Sequence, residues 1–302
     1  MAAYPLGLST FVLASPFSDA DVGLFQKVAD LGYDVIEVCV EDPALLTAAV
    51  ITEAAARSGL SVGVCGAFGP DRDLSHEDAE RRKSAMTYLK LCVDLAQAVG
   101  SPHVAGPMYS ATGKARLLPQ DERRQQRAWA AESIREVADY AADRSIRLAI
   151  EPLNRFETDM VNTVEQGLEL CAAVDRANVG LLIDTFHMNI EEKNLGDAVR
   201  MGADKVYHVQ VSENDRGTPG SGHVPWSEFF GALDDIEYDG QVVVESFLPT
   251  VAEIARAVSL WRPVAESMDA LAEDGIAFLK NFQARTRGVP HPGLHDLHRR
   301  RR

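Results

Sequence analysis

The sequence of 302 residues is 46% hydrophobic and 25% charged, which suits one large hydrophobic core. Its formal net charge of -15 repels phosphate backbones, which argues against nucleic acid as a general partner. We expect a soluble, cytoplasmic protein, because no apolar run reaches membrane-spanning length and no basic residue precedes the apolar segment 6–14, as a signal peptide would require. The cysteines, which form no C-x-x-C pair and are expected to be reduced core residues, are Cys39, Cys65, Cys92 and Cys171.

Short apolar runs alternate with longer helical patterns along the chain, which is typical of βα units and a parallel sheet. The predicted strands are 6–12, 35–40 (which contains Glu37), 60–64, 103–105, 147–150, 179–183, 206–211 and 241–244. The predicted helices are 18–31, 43–58, 78–99, 121–143, 163–174, 195–201, 225–236, 251–261 and 267–282. This pattern predicts a single (β/α)8 TIM barrel over residues 1–284. An open, doubly wound sheet is the alternative, but no G-x-G-x-x-G motif follows the first strand.

The segment from residue 285 to residue 302 differs from the rest of the chain. It contains Pro, Gly and three histidines, and it ends in a run of arginines. This composition predicts a disordered basic tail. The histidines can bind metal adventitiously, but a flexible, solvated tail is the favoured interpretation.

Acidic residues stand at the carboxyl ends of three predicted strands. Glu151 follows the fifth strand, Asp184 the sixth and Glu245 the eighth. Because strand ends meet at one mouth of a barrel, where active sites lie, these carboxylates are expected to be close together. They repel one another, so one of them must hold a proton or a divalent cation must bind them. Gln210 can add an amide oxygen, and such oxygen ligands suit Mn²⁺ or Mg²⁺, or Co²⁺, better than a thiolate-type zinc site would.

Each of these residues also has a simpler explanation when it is taken alone. Asp184 can cap the helix that follows it, and His187 can lie on the surface. Any of the carboxylates can pair with a lysine. His208 lies on the same face of the seventh strand as Gln210, but deeper. Three carboxylates at matching strand ends favour the metal site over these separate explanations.

Four further segments are informative: EPLNRFETD from Glu151, IDTFHMNIEEKN from Ile183, VSENDRGTPGSGHVPW from Val211 and VVVESF from Val242. They resemble the ketose 3-epimerases, namely the D-tagatose and D-allulose 3-epimerases of the xylose-isomerase-like sugar isomerase superfamily. The resemblance covers nearly the whole chain. It implies an isomerase that inverts C3 of a free sugar through a cis-enediolate. It also implies a bound divalent metal, with Mn²⁺ favoured, and a homodimer or homotetramer.

The same resemblance implies roles for the strand-end residues. Glu151, Asp184 and Glu245 fall on metal-ligand positions, and the two glutamates are also the acid–base pair that moves the C3 proton. The remaining ligand in the family is usually a histidine on the seventh strand. Gln210 stands at that position in this sequence. Its side chain is neutral like imidazole and can bind a metal through its oxygen.

Residues outside the strand ends are implied to bind the substrate. Glu157, His187 and Arg216 fall on positions that contact the carbonyl end of the sugar, where His187 and Arg216 would stabilise charge on oxygen. Without the resemblance, Arg216 would be interpreted as a surface residue. Trp226 is expected to begin a helix in the core, and the Gly- and Pro-rich loop 66–75 to form part of a lid or rim. Candidates for the apolar wall, each of which could equally be ordinary packing, are Phe11, Phe68, Met108, Tyr109 and Phe247.

Two further functions remain open from the sequence. The first is a lyase on the same barrel, which would dehydrate a keto-inositol or cleave a 3-keto C-glycoside after removing a proton next to a carbonyl. The second is a catalytically silent barrel that acts as a binding subunit, which the buried carboxylates argue against because unused charges only destabilise a fold. A DNA-cutting barrel, which binds several zinc ions through many histidines, is set aside, because three of the eight histidines lie in the segment 285–302 and the net charge is -15.

Overall fold

A computed structural model describes residues 4–286, in which eight parallel strands close into a barrel. The strands are β1 (Leu6–Ser9), β2 (Val35–Val40), β3 (Ser61–Gly66), β4 (His103–Gly106), β5 (Arg147–Ile150), β6 (Val179–Asp184), β7 (Val206–Val211) and β8 (Val242–Val244). Strand β1 pairs with both β2 and β8, which closes the sheet. The predicted (β/α)8 barrel is confirmed, and the open doubly wound alternative is wrong.

Helices connect the strands and pack around the outside of the barrel. They are α1 (Leu24–Leu31), α2 (Ala48–Ser58), α3 (Ala79–Val99), α4 (Gln120–Ala142), α5 (Val164–Val174), α6 (Thr185–Glu191), α7 (Leu195–Gly202), α8 (Trp226–Asp235), α9 (Ala252–Ala257) and α10 (Met268–Thr286). Side chains fix several starts: the Asp78 carboxylate accepts from the N–H of Glu80 before α3. Within residues 4–286, no helix combines the length and apolar character needed to cross a membrane.

The first strand and the first two helices are shorter than predicted. Strand β1 ends at Ser9, whose hydroxyl accepts from the N–H of Phe11, and a 3-10 turn over Thr10–Val12 follows. A second 3-10 turn, over Asp19–Asp21, precedes α1. Another, over Pro43–Leu45, precedes α2. In each case, local side-chain capping or proline favours a tight turn over a longer regular element.

The last helix extends beyond the predicted end of the barrel domain. Helix α10 continues through Thr286, two residues into the segment predicted as a tail. The rest of that segment, 287–302, lies outside the described residues. All four cysteines are free and buried, as the sequence predicted.

The barrel interior is more polar than its apolar strands suggest. Small or apolar side chains fill one layer, formed by Ala105, Ala149 and Leu182. Next to these lie Glu37 from β2 and His208 from β7, both fully buried. Because side chains alternate along each strand, the inward positions that lie nearer the carboxyl ends of β5, β6 and β8 fall at the mouth of the barrel.

Candidate active site

The structure brings the three predicted strand-end carboxylates together around one arginine. Glu151, Asp184 and Glu245 are only 5%, 1% and 4% exposed. Arg216 Nη1 lies 2.6 Å from Asp184 Oδ2 and 3.0 Å from Glu245 Oε2. The interpretation of Arg216 as a surface residue is therefore wrong, since this side chain is buried at the mouth.

Asp184 has two roles at the same time. Its Oδ1 accepts from the N–H of Phe186 at 2.6 Å and so caps α6, a helix that the sequence had not located. Its other oxygen, Oδ2, pairs with Arg216. One oxygen therefore serves as the helix cap, and the other faces the arginine of the cluster.

His187 lies in the first turn of α6 and is 2% exposed, so its placement on the surface is also wrong. The N–H of Asn154 donates to His187 Nδ1 at 3.0 Å. On the other side of the ring, Nε2 lies 2.8 Å from Arg216 Nη2 and 3.4 Å from Glu151 Oε1. Burial and the charge of Arg216 lower the pKa of His187, so the ring is neutral at pH 7.

Glu157 joins this group through Asn154. The Asn154 amide donates to Glu157 Oε1 at 2.8 Å and lies 2.9 Å from His187 Nδ1. Glu157 and Asn154 are both buried, at 5% and 1% exposure. Asn154 therefore fixes the relative positions of two side chains that were predicted to bind substrate.

A buried glutamate organises the loop that carries Arg216. Glu213 Oε1 accepts from Trp226 Nε1 at 2.7 Å and from the N–H of Gly220 at 3.0 Å, and Oε2 accepts from Val224. Arg216 itself has a φ of 67°, a left-handed conformation that is uncommon for a residue other than glycine. The Glu213 contacts hold the loop in the form that turns this side chain inward. Trp226 begins α8 in the core, as predicted.

Charge is unevenly distributed in the cluster. Burial raises the pKa of Glu151 well above its usual value, and repulsion from Asp184 adds to the effect. Burial likewise raises the pKa of Glu245, and attraction to Arg216 does not compensate for it. For Asp184, burial is outweighed by the charge of Arg216 and by the hydrogen bonds from Arg216 and the N–H of Phe186, so its pKa is lowered. The cluster thus has one fully ionised carboxylate and two that resist ionisation without a further cation.

A cavity of about 460 Å³ opens directly over this cluster. Its polar side is formed by Glu151, Glu157, His187, Arg216 and Glu245. Its apolar side includes Phe11, Phe68, Leu153, Phe247 and Val258. Residues 66–70, from the loop that was expected to form part of a lid or rim, also line it. Met108 and Tyr109, two candidates for the wall, lie in the main core instead.

The comparisons with known proteins agree with this geometry. Residues 25–282 match the model of the xylose isomerase-like TIM barrel family. The chain belongs to this family. A probable ketose 3-epimerase from Synechocystis sp. is 33% identical over 274 residues, which cover 91% of this chain and 95% of that protein. A D-psicose 3-epimerase from Agrobacterium fabrum is also 33% identical, over 84% of this chain and 90% of its own.

A solved structure gives the same result. The crystal structure of a D-allulose 3-epimerase from Methylomonas sp. in complex with D-allulose has a TM-score of 0.86 and 30% identity, and the match covers 92% of this chain and 96% of that one. The resemblance to ketose 3-epimerases is therefore confirmed, and so is the expectation of an isomerase rather than a silent barrel.

The oxygen and nitrogen atoms of the site in this chain suit a divalent cation. Ligand atoms of Glu151, Asp184 and His187 all lie within 4.8 Å of one another. Gln210, the register partner of Asp184 on β7, has a buried amide oxygen without a hydrogen-bond partner among the described residues. An oxygen-rich set with excess negative charge suits a hard cation. His187, predicted only to contact substrate, belongs to the same set of atoms.

Sequence reasoning missed three residues that shape the site in this barrel: Glu37, Asn154 and Glu213. Glu37 was visible as a charge inside an otherwise apolar strand, which is costly unless a partner is present. Asn154 and Glu213 lie within the segments that resemble the ketose 3-epimerases, but nothing in their spacing indicated their partners. Their roles depend on contacts that only the closed barrel creates.

Proposed function

We propose that this protein epimerises a free ketose at C3, with Glu151 and Glu245 as the acid–base pair. The observation that carries this proposal is the pair of buried carboxyl groups with raised pKa values, on strand ends separated by β6 and β7 around the barrel. Both line the same cavity, so a sugar bound there contacts them from different sides. Similarity to ketose 3-epimerases supports inversion at C3.

Glu151, Asp184, Gln210 and Glu245 would hold the divalent cation, for which we favour Mn²⁺ over Mg²⁺ and Co²⁺. When bound, this cation supplies Lewis-acid polarisation of the sugar carbonyl and acidifies the neighbouring C3. The unpartnered oxygen of Gln210 and the uncompensated carboxylates support this assignment.

The chain's own residues then move the proton. One of Glu151 and Glu245 removes the C3 proton to give a cis-enediolate, and the other returns a proton to the opposite face. Each carboxyl can act as the base when it is ionised and as the acid when it is protonated, which a two-way epimerisation requires. Arg216 and His187 line the cavity and would stabilise negative charge that develops on the sugar oxygens, and Glu157 would orient a hydroxyl. The apolar wall excludes water from the reacting carbons.

Solvent exchange followed by NMR tests the proposal. The Mn²⁺-loaded protein is incubated in D₂O with D-fructose, D-tagatose, D-allulose and L-ribulose. We expect deuterium at C3 together with the C3 epimer for at least one ketose, and neither after metal removal with EDTA. The lyase alternative, which these relatives do not favour, would instead give an unsaturated or cleaved product. A metal-loaded protein that neither exchanges C3 nor forms an epimer with any of them contradicts the proposal.

The apolar wall of the cavity leads to a prediction about substrate range. If the carbonyl end binds at the carboxylates, the rest of the sugar lies against this wall, which includes Phe11, Phe68 and Val258. A hydroxyl without a protein partner contributes little to binding, so 6-deoxy-D-allulose should have a kcat/KM within about 3-fold of that of D-allulose. Initial rates for the two sugars measure this. A loss above about 100-fold would reveal a buried polar partner for O6.

A further inference from the structure

Glu37 lies in the barrel interior beneath the active site and is fully buried. Its two carboxylate oxygens contact two residues of the same strand, β7. Gln210 Nε2 donates to Glu37 Oε1 at 2.7 Å, and His208 Nε2 lies 2.6 Å from Glu37 Oε2. The Glu37 side chain on β2 therefore reaches across the barrel to β7, and each of its oxygens has its own partner.

These contacts determine which way the Gln210 amide faces. The NH₂ group is the end of the Gln210 amide that faces Glu37, because Nε2 is a donor and the Glu37 oxygen accepts from it. The Cys65 sulfur, 4.0 Å from Nε2, is on the same side of the amide. The amide oxygen is thereby turned away from both, and it is buried without a hydrogen-bond partner among the described residues. A buried carbonyl oxygen with no partner is costly unless a ligand uses it.

We propose that Glu37 is a positioning residue that holds Gln210 with its amide oxygen directed at the divalent cation. This inference rests on the proposed function, in which Gln210 is a metal ligand. An unrestrained glutamine can present either its oxygen or its NH₂ group, and only the oxygen binds a cation. Glu37 fixes the orientation in which the oxygen is presented. It also polarises the amide, which makes the oxygen a stronger metal ligand. Because His208 occupies its other oxygen, the carboxylate itself cannot rotate away.

A double-mutant cycle on Mn²⁺ affinity tests the inference. Free Mn²⁺ is measured by its EPR signal during titration of the wild type, Glu37→Gln, Gln210→Met and the double variant. Glu37→Gln should raise the Kd about 10-fold, as is typical when the partner of a metal ligand is lost. Gln210→Met keeps the side-chain length but offers only a soft sulfur, so the Kd should also rise. In the Gln210→Met background, Glu37→Gln should change the Kd by less than about 2-fold.

Glu41→Gln is the matched control, since Glu41 follows β2 and its carboxylate accepts from Ser15. It makes the same chemical change without touching Gln210, and the Kd should stay at the wild-type value. Circular dichroism and metal-free melting check that each variant folds. If Gln210→Met does not fold, Gln210→Asn replaces it, because the shorter amide cannot reach both Glu37 and the cation.

The outcomes separate this inference from the function on which it rests. A wild type that does not bind Mn²⁺ contradicts the metal site and the inference together. Normal Mn²⁺ binding that is unchanged in Glu37→Gln overturns the inference and leaves the proposed function intact. An equal loss of affinity in both backgrounds also overturns it, because Glu37 would then act through its charge or through the fold rather than through Gln210.

Discussion

Replacing Glu245 by Gln is expected to lower kcat for C3 epimerisation by about 10³-fold, and Glu151→Gln should have an effect of the same order. Glutamine keeps the size of the side chain and an oxygen that can bind a cation, but it has no proton to exchange near neutral pH. Both carboxyls are buried in the cavity wall, so bulk water cannot easily replace them as proton carriers. Mn²⁺ binding is measured for each variant, and rates are compared at saturating metal.

Exchange from each epimer identifies which glutamate acts on which face. If the two carboxyls serve opposite faces of C3, each variant should still exchange the C3 proton of one epimer in D₂O. Glu245→Gln should retain exchange with one epimer, and Glu151→Gln should retain exchange with the other. Glu157→Gln is the matched control, because Glu157 lines the same cavity and is predicted to bind substrate rather than to move the C3 proton. The Glu157→Gln variant should have a raised KM and should still exchange the C3 proton of both epimers. Equal exchange of both epimers by Glu245→Gln contradicts its role as a base.

The barrel and its mouth could be predicted because they depend on local pattern. Short apolar runs mark strands that are buried on both faces, and their alternation with helices implies parallel order. Once strand order is known, the residue that ends each strand must lie at the mouth. Asp184 was placed correctly on that basis. The same argument places Glu151 and Glu245, because it needs only the strand ends and no knowledge of the loops.

The parts that could not be predicted depend on contacts between distant residues. Helix α6 is one example, because its seven residues are too few to show a clear helical period, and its first turn is fixed by Asp184. Glu37 is another. It contacts Gln210, 173 positions later in the chain, and only closure and register of the barrel bring the two strands within reach.

Burial was the least predictable property of the loop residues. His187 and Arg216 both follow strands in polar segments, where solvent exposure is the usual outcome. In the structure each is held inward by specific contacts: Asn154, from the loop after β5, contacts His187, and Glu213 fixes the loop that it shares with Arg216. The resemblance to the ketose 3-epimerases indicated their importance, whereas composition and spacing alone favoured the surface.

Replacing Arg216 by Met is expected to lower the free energy of unfolding of the metal-free protein by about 3 kcal/mol at pH 7, because it leaves buried carboxylates without their cation. Asp184 is most affected, since the charge of Arg216 helps to keep its pKa low despite burial. Methionine has a similar length, so little packing volume is lost. Urea denaturation in EDTA measures the change.

The same variant should respond more strongly to metal than the wild type does. Arg216 Nη1 contacts the Asp184 and Glu245 oxygens that a divalent cation would bind, so the two cations compete for these atoms. Without the arginine, Mn²⁺ should bind more tightly, and saturating Mn²⁺ should recover much of the lost stability by mass action. Arg200→Met is the matched control. It breaks an exposed pair with Asp235, so it should cost less than about 1 kcal/mol and leave the response to Mn²⁺ unchanged. If both variants lose the same stability, or if Mn²⁺ stabilises Arg216→Met no more than the wild type, the arginine does not neutralise the carboxylates that are proposed to bind the metal.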